Sequence, residues 1–164
     1  MKNIVLIGMP ACGKSTIGYW LSQKTNYPFF DADKHLEEKE NRIIPDIFAN
    51  EGEEYFRDLE TKYLKELSER QGIIISTGGG AVKKKENIDI LKQNGIIIFL
   101  DRTIEDISRE NHENRPLLQN IENLWKLYDE RINLYRKYAD IIIKNDDDMD
   151  VVTDRIITAL KGKL

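Results

Sequence analysis

One stretch near the start, GMPACGKST at residues 8–16, limits what this chain can fold into more than any other. It fits the pattern G-x-x-x-x-G-K-[ST]. An apolar run at 3–7 precedes it and a helical pattern, STIGYWLSQK, follows. Strand, glycine-rich loop and helix N-terminus in that order make an anion cradle, because backbone N–H groups wrap a phosphate and the helix dipole favours its charge. Gly8 and Gly13 allow backbone angles and a close approach that a Cβ would hinder. Lys14 can reach the outer phosphates, and the Ser15 hydroxyl, followed by Thr16, can ligate Mg²⁺. The loop predicts a nucleoside triphosphate and says nothing of the acceptor. Cys12 lies inside it, either as a small space-filling residue or as a thiol acidified by the helix N-terminus.

Further apolar, β-branched runs fall at 73–76, 96–100 and 140–143, with a shorter one at 28–31. They do not alternate with polar residues, as expected of parallel strands covered on both faces. Helical patterns between them give βαβ units. With 164 residues, one domain is expected. Its fold class is α/β, a three-layer αβα sandwich on a five-stranded parallel sheet. Asn50 with Glu53 three residues on resembles a capping box, and Phe56, Leu59, Tyr63 and Leu67 then follow one helical face. Ile121, Leu124, Trp125, Tyr128, Ile132 and Tyr135 mark a second amphipathic helix, whose aromatic residues read as core rather than as base-stacking platforms. KNDDDMD (144–150) and VKKKEN (82–87) read as solvated connections.

The net charge of −4 speaks against a duplex nucleic-acid partner. No apolar run approaches the ~20 residues of a membrane span, and the N-terminal run stops at Gly8 before Pro10 and Lys14, unlike a signal peptide. A lone cysteine permits no internal disulfide and suits a reducing cytoplasm. No Cys/His cluster suggests zinc.

Three features bear on the acceptor. FFDADKHLEEK (29–39) runs an apolar stretch into Asp31 and Asp33. At a strand end, residues i and i+2 face one way, so both carboxylates would meet one site; alternatively Asp33 caps a helix over 34–40. EYFRDLE sets Arg57 three residues before Glu60, either a surface ion pair or a guanidinium aimed at an anion. Gly78, Gly79 and Gly80 end a buried strand, either as a flexible turn or where backbone must approach a ligand closely.

Together GMPACGKST, DAD, FRDLE, GGG, RPLL (115–118) and RINLYRKYAD resemble, in order and spacing, the shikimate kinase family. The resemblance implies a P-loop kinase of the nucleoside monophosphate kinase type, occupying 1–164 as a single domain. Its shikimate-binding segment would span about 31–61 and its lid about 108–119. It implies ATP-dependent phosphorylation of the 3-hydroxyl of shikimate, a step towards chorismate and the aromatic amino acids, with Mg²⁺; a cytoplasmic monomer is expected. By the same resemblance Asp33 contacts shikimate hydroxyls and is the base, and Asp31 acts on Mg²⁺ through water beside Ser15. Arg57 and Arg131 grip the carboxylate with Gly78–Gly80. Arg115 swings over the transferring phosphoryl group, and Arg109 stacks on adenine. ATP contacts fall to Gly8, Ala11, Cys12, Gly13, Lys14, Ser15 and Thr16. Ala11 and Cys12 stand where glycine and alanine are common in the family, and Asn41 where glycine often follows the shikimate-site helix. A gluconate kinase-like enzyme and a non-catalytic nucleotide-binding module are the alternatives. The first has less reason to keep DAD, FRDLE and GGG together; the second predicts a damaged acceptor site.

Overall fold

β1 (Asn3–Ile7) is buried along its whole length. Successive side chains of a strand point to opposite faces, so this strand is covered on both sides. The structure, a computed structural model, describes residues 1–109 and 121–164. The described chain continues through α1 (Lys14–Thr25), β2 (Phe29–Asp31), α2 (Ala32–Glu40), α3 (Ile44–Glu51), α4 (Glu53–Ser68) and β3 (Ile74–Ser76). A short 3₁₀ turn (Ala81–Lys83) leads to α5 (Lys85–Lys92), β4 (Gly95–Asp101), α6 (Ile104–Ser108), α7 (Ile121–Tyr138), β5 (Ile141–Lys144) and α8 (Met149–Leu160). The described strands form one parallel sheet in the order β2-β3-β1-β4-β5.

Register positions the site. Asp31 pairs with Ser76, Leu6 also pairs with Ser76, Ile7 pairs with Phe99, and Asp101 pairs with Lys144. The loop after β1, the glycines after β3, the start of α2 and the ends of β4 and β5 therefore share the carboxyl edge of the sheet. That edge is where open α/β sheets bind ligands. The main core joins the central strands to α1, α5, α7 and α8, with Phe99 and Tyr135 stacked at 5.2 Å. A second, smaller core of Leu36, Ile47, Phe56, Leu59 and Tyr63 knits α2, α3 and α4.

Several local expectations change. Asn50 lies inside α3, and α4 is preceded by Gly52 with no side-chain cap, so the expected capping box is absent. Phe56, Leu59, Tyr63 and Leu67 are nonetheless all buried. VKKKEN is not a solvated loop: Val82 is buried in the 3₁₀ turn, and buried Asn87 donates to the Ala81 carbonyl at 3.0 Å from within α5. Trp125 is 41% exposed and so not core, whereas Leu124, Ile132 and Tyr135 are buried as expected. Ile121 begins α7, and its side chain lies outside the described residues. Asn41 adopts the left-handed conformation (φ 56°) that ends α2.

Candidate active site

The phosphate loop takes three backbone angles that most residues avoid: φ 154° at Gly8, 62° at Ala11 and 97° at Gly13. Glycine meets two of them without penalty; Ala11 is a strained exception. The Lys14 ammonium is buried and donates to the carbonyls of Gly8 (2.8 Å) and Met9 (2.9 Å). Cys12 is buried, with its sulfur against Gly8 and 3.7 Å from Lys14 Nζ, which matches the space-filling role. Ser15 and Thr16 are exposed in the first turn of α1.

Asp31 and Asp33 do meet one site, but not because they share an extended strand. Asp31 ends β2 and caps α2: its Oδ1 accepts from the N–H groups of Asp33 (3.1 Å) and Lys34 (3.3 Å). Its Oδ2 accepts from the Ser15 hydroxyl at 3.1 Å. The cap is thus Asp31, and Asp33, in the first turn of α2, is left for other work.

The glycine turn lies against Asp33. A Cβ on Gly78 would sit 2.8 Å and 3.0 Å from the two carboxylate oxygens of Asp33 and 3.1 Å from Glu60 Oε2. On Gly79 it would sit 2.9 Å from Pro10 Cδ and 3.1 Å from Arg131 Nη1; on Gly80, 2.5 Å from Arg57 Nη2. None of the three has a positive φ. Glycine is needed here for space, since side chains from α2, α4, α7 and the phosphate loop crowd against bare backbone. Tyr135 donates to the Gly79 carbonyl at 2.7 Å and fixes the turn from below.

Electrostatics sharpen the site. Burial, then the charges of Glu60 and Asp31, push the Asp33 carboxyl up to about 7, against the pull of Lys14. Glu60 is also raised, because its burial outweighs its pairing with Arg57. The Arg57–Glu60 contact, at 2.9 Å, is buried rather than superficial, since the Glu60 side chain is 3% exposed. Among the described residues, Arg57 Nε and Arg131 Nε are buried side-chain donors with no hydrogen-bond partner, Arg57 Nε having only a long ion contact to half-exposed Glu53 at 3.6 Å. Such donors are costly to bury unless an acceptor arrives, and two guanidinium groups facing one pocket suit a carboxylate.

Arg109 sits at the C-terminus of α6, 77% exposed and paired with Asp106 at 3.4 Å. Arg115 and residues 110–119 of the expected lid lie outside the described residues. Sequence reasoning missed two donors that hold the phosphate loop. Asn145 Nδ2 donates to the Cys12 carbonyl at 2.6 Å, and Arg102 Nη1 to the Ala11 carbonyl at 2.9 Å. Asn145 was hidden in a run that reads as solvent-facing; it is buried, whereas the aspartates after it are exposed.

The described residues hold no cluster of three or more His, Cys, Asp or Glu fit for a metal on its own. Nor do they include a helix long and apolar enough to cross a membrane. The family model described as Shikimate kinase matches residues 10–161. A shikimate kinase of Clostridium beijerinckii is 46% identical over 95% of this chain and 94% of its own length. The structure of an Acinetobacter baumannii shikimate kinase in complex with shikimate superposes with a TM-score of 0.90, at 36% identity over 100% of this chain and 96% of that one. A gluconokinase from Sinorhizobium meliloti, at 13% identity and a TM-score of 0.59 over 98% of this chain and 91% of that one, shares the fold alone. By the family model and these relatives, with its phosphate loop and glycine turn at one edge of the sheet, the chain belongs to the shikimate kinase family.

Proposed function

We propose that this chain transfers the terminal phosphoryl group of ATP to the 3-hydroxyl of shikimate, giving shikimate 3-phosphate and ADP. The observation that carries this reading is the glycine turn, whose three bare Cα positions face Asp33, Arg131 and Arg57 in one pocket. Arg57, held by Glu60, and Arg131 pair with the shikimate carboxylate, and their Nε donors, which make no hydrogen bond in the structure, find acceptors there. That pairing sets the 3-hydroxyl beside Asp33. As the hydroxyl oxygen attacks the γ-phosphorus, its proton passes to Asp33; the bond to the β–γ bridging oxygen breaks and the electron pair leaves with ADP. A carboxyl with a pKa of about 7 is well matched to taking that proton near neutral pH.

The amides of the phosphate loop and Lys14 hold the β- and γ-phosphates. Ser15, whose hydroxyl is aligned by Asp31, offers the hard oxygen that Mg²⁺ accepts, with Asp31 acting through water. When bound, Mg²⁺ offsets phosphate charge during transfer. In this reading Arg115 covers the transferring group and Arg109 packs on adenine, with the lid over about 108–119 and the shikimate segment over about 31–61. Both halves of the site come from one chain, so a monomer suffices. The single buried, unpaired cysteine suits the cytoplasm.

ADP release measured with shikimate, with gluconate and with no acceptor tests the reading. Release that depends on shikimate is expected. Release driven by gluconate makes the chain a gluconate kinase-like enzyme, and nucleotide binding without release makes it a regulatory module.

A further inference from the structure

A loop that turns its amides towards a phosphate must turn its carbonyls away, and those carbonyls then need donors. Here side chains supply four of them. Lys14 serves Gly8 and Met9 from within the motif. The Ala11 and Cys12 carbonyls are served by Arg102 and Asn145, which stand 91 and 133 residues away in sequence. Those two residues follow β4 and β5, whose register sets Asp101 beside Lys144, so they descend together on the loop. Asn145 is buried and its own N–H donates to the Asp101 carbonyl at 2.9 Å, which fixes its position. A Cβ on Gly13 would lie 2.7 Å from Asn145 Nδ2, so the amide packs directly under the residue that opens α1. The loop is also strained here: Ala11 is left-handed and Gly13 has φ 97°.

We propose that Asn145 and Arg102 are positioning residues for phosphate binding, holding the Ala11 and Cys12 carbonyls away from the ligand so that the loop amides point into the cradle. The inference rests on the reading that residues 8–16 bind ATP phosphates. Without Asn145, the strained segment relaxes towards commoner backbone angles and the amides lose their aim. The loss then depends on how many phosphates the loop holds, which a merely structural role would not produce.

The test compares Asn145→Ala, and separately Arg102→Met, with the wild type by calorimetric titration of ADP and AMP, alongside thermal unfolding and steady-state kinetics. For Asn145→Ala the expected result is ADP binding about tenfold weaker with AMP binding changed less than about twofold, from one buried hydrogen bond. Arg102→Met, at a half-buried site, gives about a threefold loss of ADP with the same selectivity. KM for shikimate stays at its wild-type value in both. ADP affinity unchanged in both folded variants, or equal losses for ADP and AMP, overturns the proposal. Should Asn145→Ala fail to fold, Arg102→Met decides alone. A wild-type protein that binds ADP no better than AMP instead overturns the phosphate-loop reading beneath it.

Discussion

The phosphate cradle draws its amides, its lysine and its hydroxyl from one contiguous stretch, residues 8–16, whereas the proposed acceptor site draws Asp33, Arg57, Glu60, Gly78–Gly80 and Arg131 from separate segments of the chain. The first is shaped by unusual backbone angles at Gly8, Ala11 and Gly13. The second is shaped by absence: three glycines of ordinary φ leave room for charged side chains that arrive from other helices. A contiguous site survives changes elsewhere as long as the few distant donors that hold its backbone stay in place. A converging site depends on each distant element staying in place, and substitutions there that do not touch the phosphate loop should split acceptor binding from nucleotide binding.

The largest effect is expected at Asp33. Asp33→Asn should lower kcat by ~10²-fold or more, since proton acceptance and hydroxyl alignment are lost together. Near-normal turnover would show that the acceptor side needs no base. In the wild type, kcat/KM for shikimate should fall as pH drops below about 7, where Asp33 takes up a proton. The same shift predicts a gain in stability. The folded pKa is raised from 3.8 to about 7, so the folded state binds more protons than the unfolded state between those values. Wild-type stability therefore declines as pH rises from about 4 to about 7. The asparagine variant lacks that decline. It should be the more stable protein above pH 7, by roughly 2–3 kcal/mol after partial solvent screening, with the difference vanishing near pH 4. Urea unfolding at pH 8 and pH 5 measures it, and an equal difference at both would mean that Asp33 is not destabilised in the fold.

How much of this was legible in the sequence follows the same division. The cradle could be read from its own letters because its function lies in a local backbone conformation. The architecture could be read as well: every expected strand is present with ends moved by one residue at most. On the acceptor side the letters pointed to residues that the fold brings around the glycine turn, though partly for other reasons than its geometry. Asp33 faces the pocket from a helix rather than a strand, with the cap supplied by Asp31. The Arg57–Glu60 spacing could not reveal that the pair is buried, which depends on Gly80 lying against it. Asn145 and Arg102 gave no sign at all, because a donor to a distant carbonyl has no sequence pattern.

Arg57→Ala comes next in size. It should weaken shikimate binding by roughly 2–4 kcal/mol, read as a KM raised ~30-fold or more, with KM for ATP unchanged. The fold should tolerate it: Glu60, already raised by burial, can take up a proton when its cation goes. Arg57→Lys should recover only part of the loss, since an ammonium cannot offer the two-pronged donor. An unchanged KM for shikimate would remove Arg57 from the pocket.

Two glycine substitutions then compare the halves directly. In Gly80→Ala the new methyl meets the guanidinium end of Arg57 at 2.5–2.8 Å, the far end of a long side chain that can shift. KM for shikimate should rise about tenfold while ATP binding is kept. In Gly79→Ala the methyl meets Pro10 at 2.9–3.0 Å, a ring tied to the phosphate loop that cannot swing aside. That variant should disturb both substrates. If Gly80→Ala also weakens ATP binding, the two halves are not separable.

The smallest expected effect concerns the one point where the cradle departs from its own logic. Ala11 holds φ 62°, a left-handed angle that carries a penalty of ~1–2 kcal/mol for a residue with a Cβ. Ala11→Gly removes that penalty but gives the unfolded chain more freedom, a loss of roughly 0.5–1 kcal/mol. The balance is a net gain of about 0.5–1 kcal/mol, visible as a higher urea midpoint with no change in slope. Arg102 still holds the carbonyl at this position, so the loop should keep its shape and KM for ATP should not move. A fall in stability would mean that the methyl group, packed at the edge of the core, contributes more than the strain removes. The cradle would then depend on side-chain packing as the acceptor pocket does, and the contrast between the two halves would narrow to one of sequence distance.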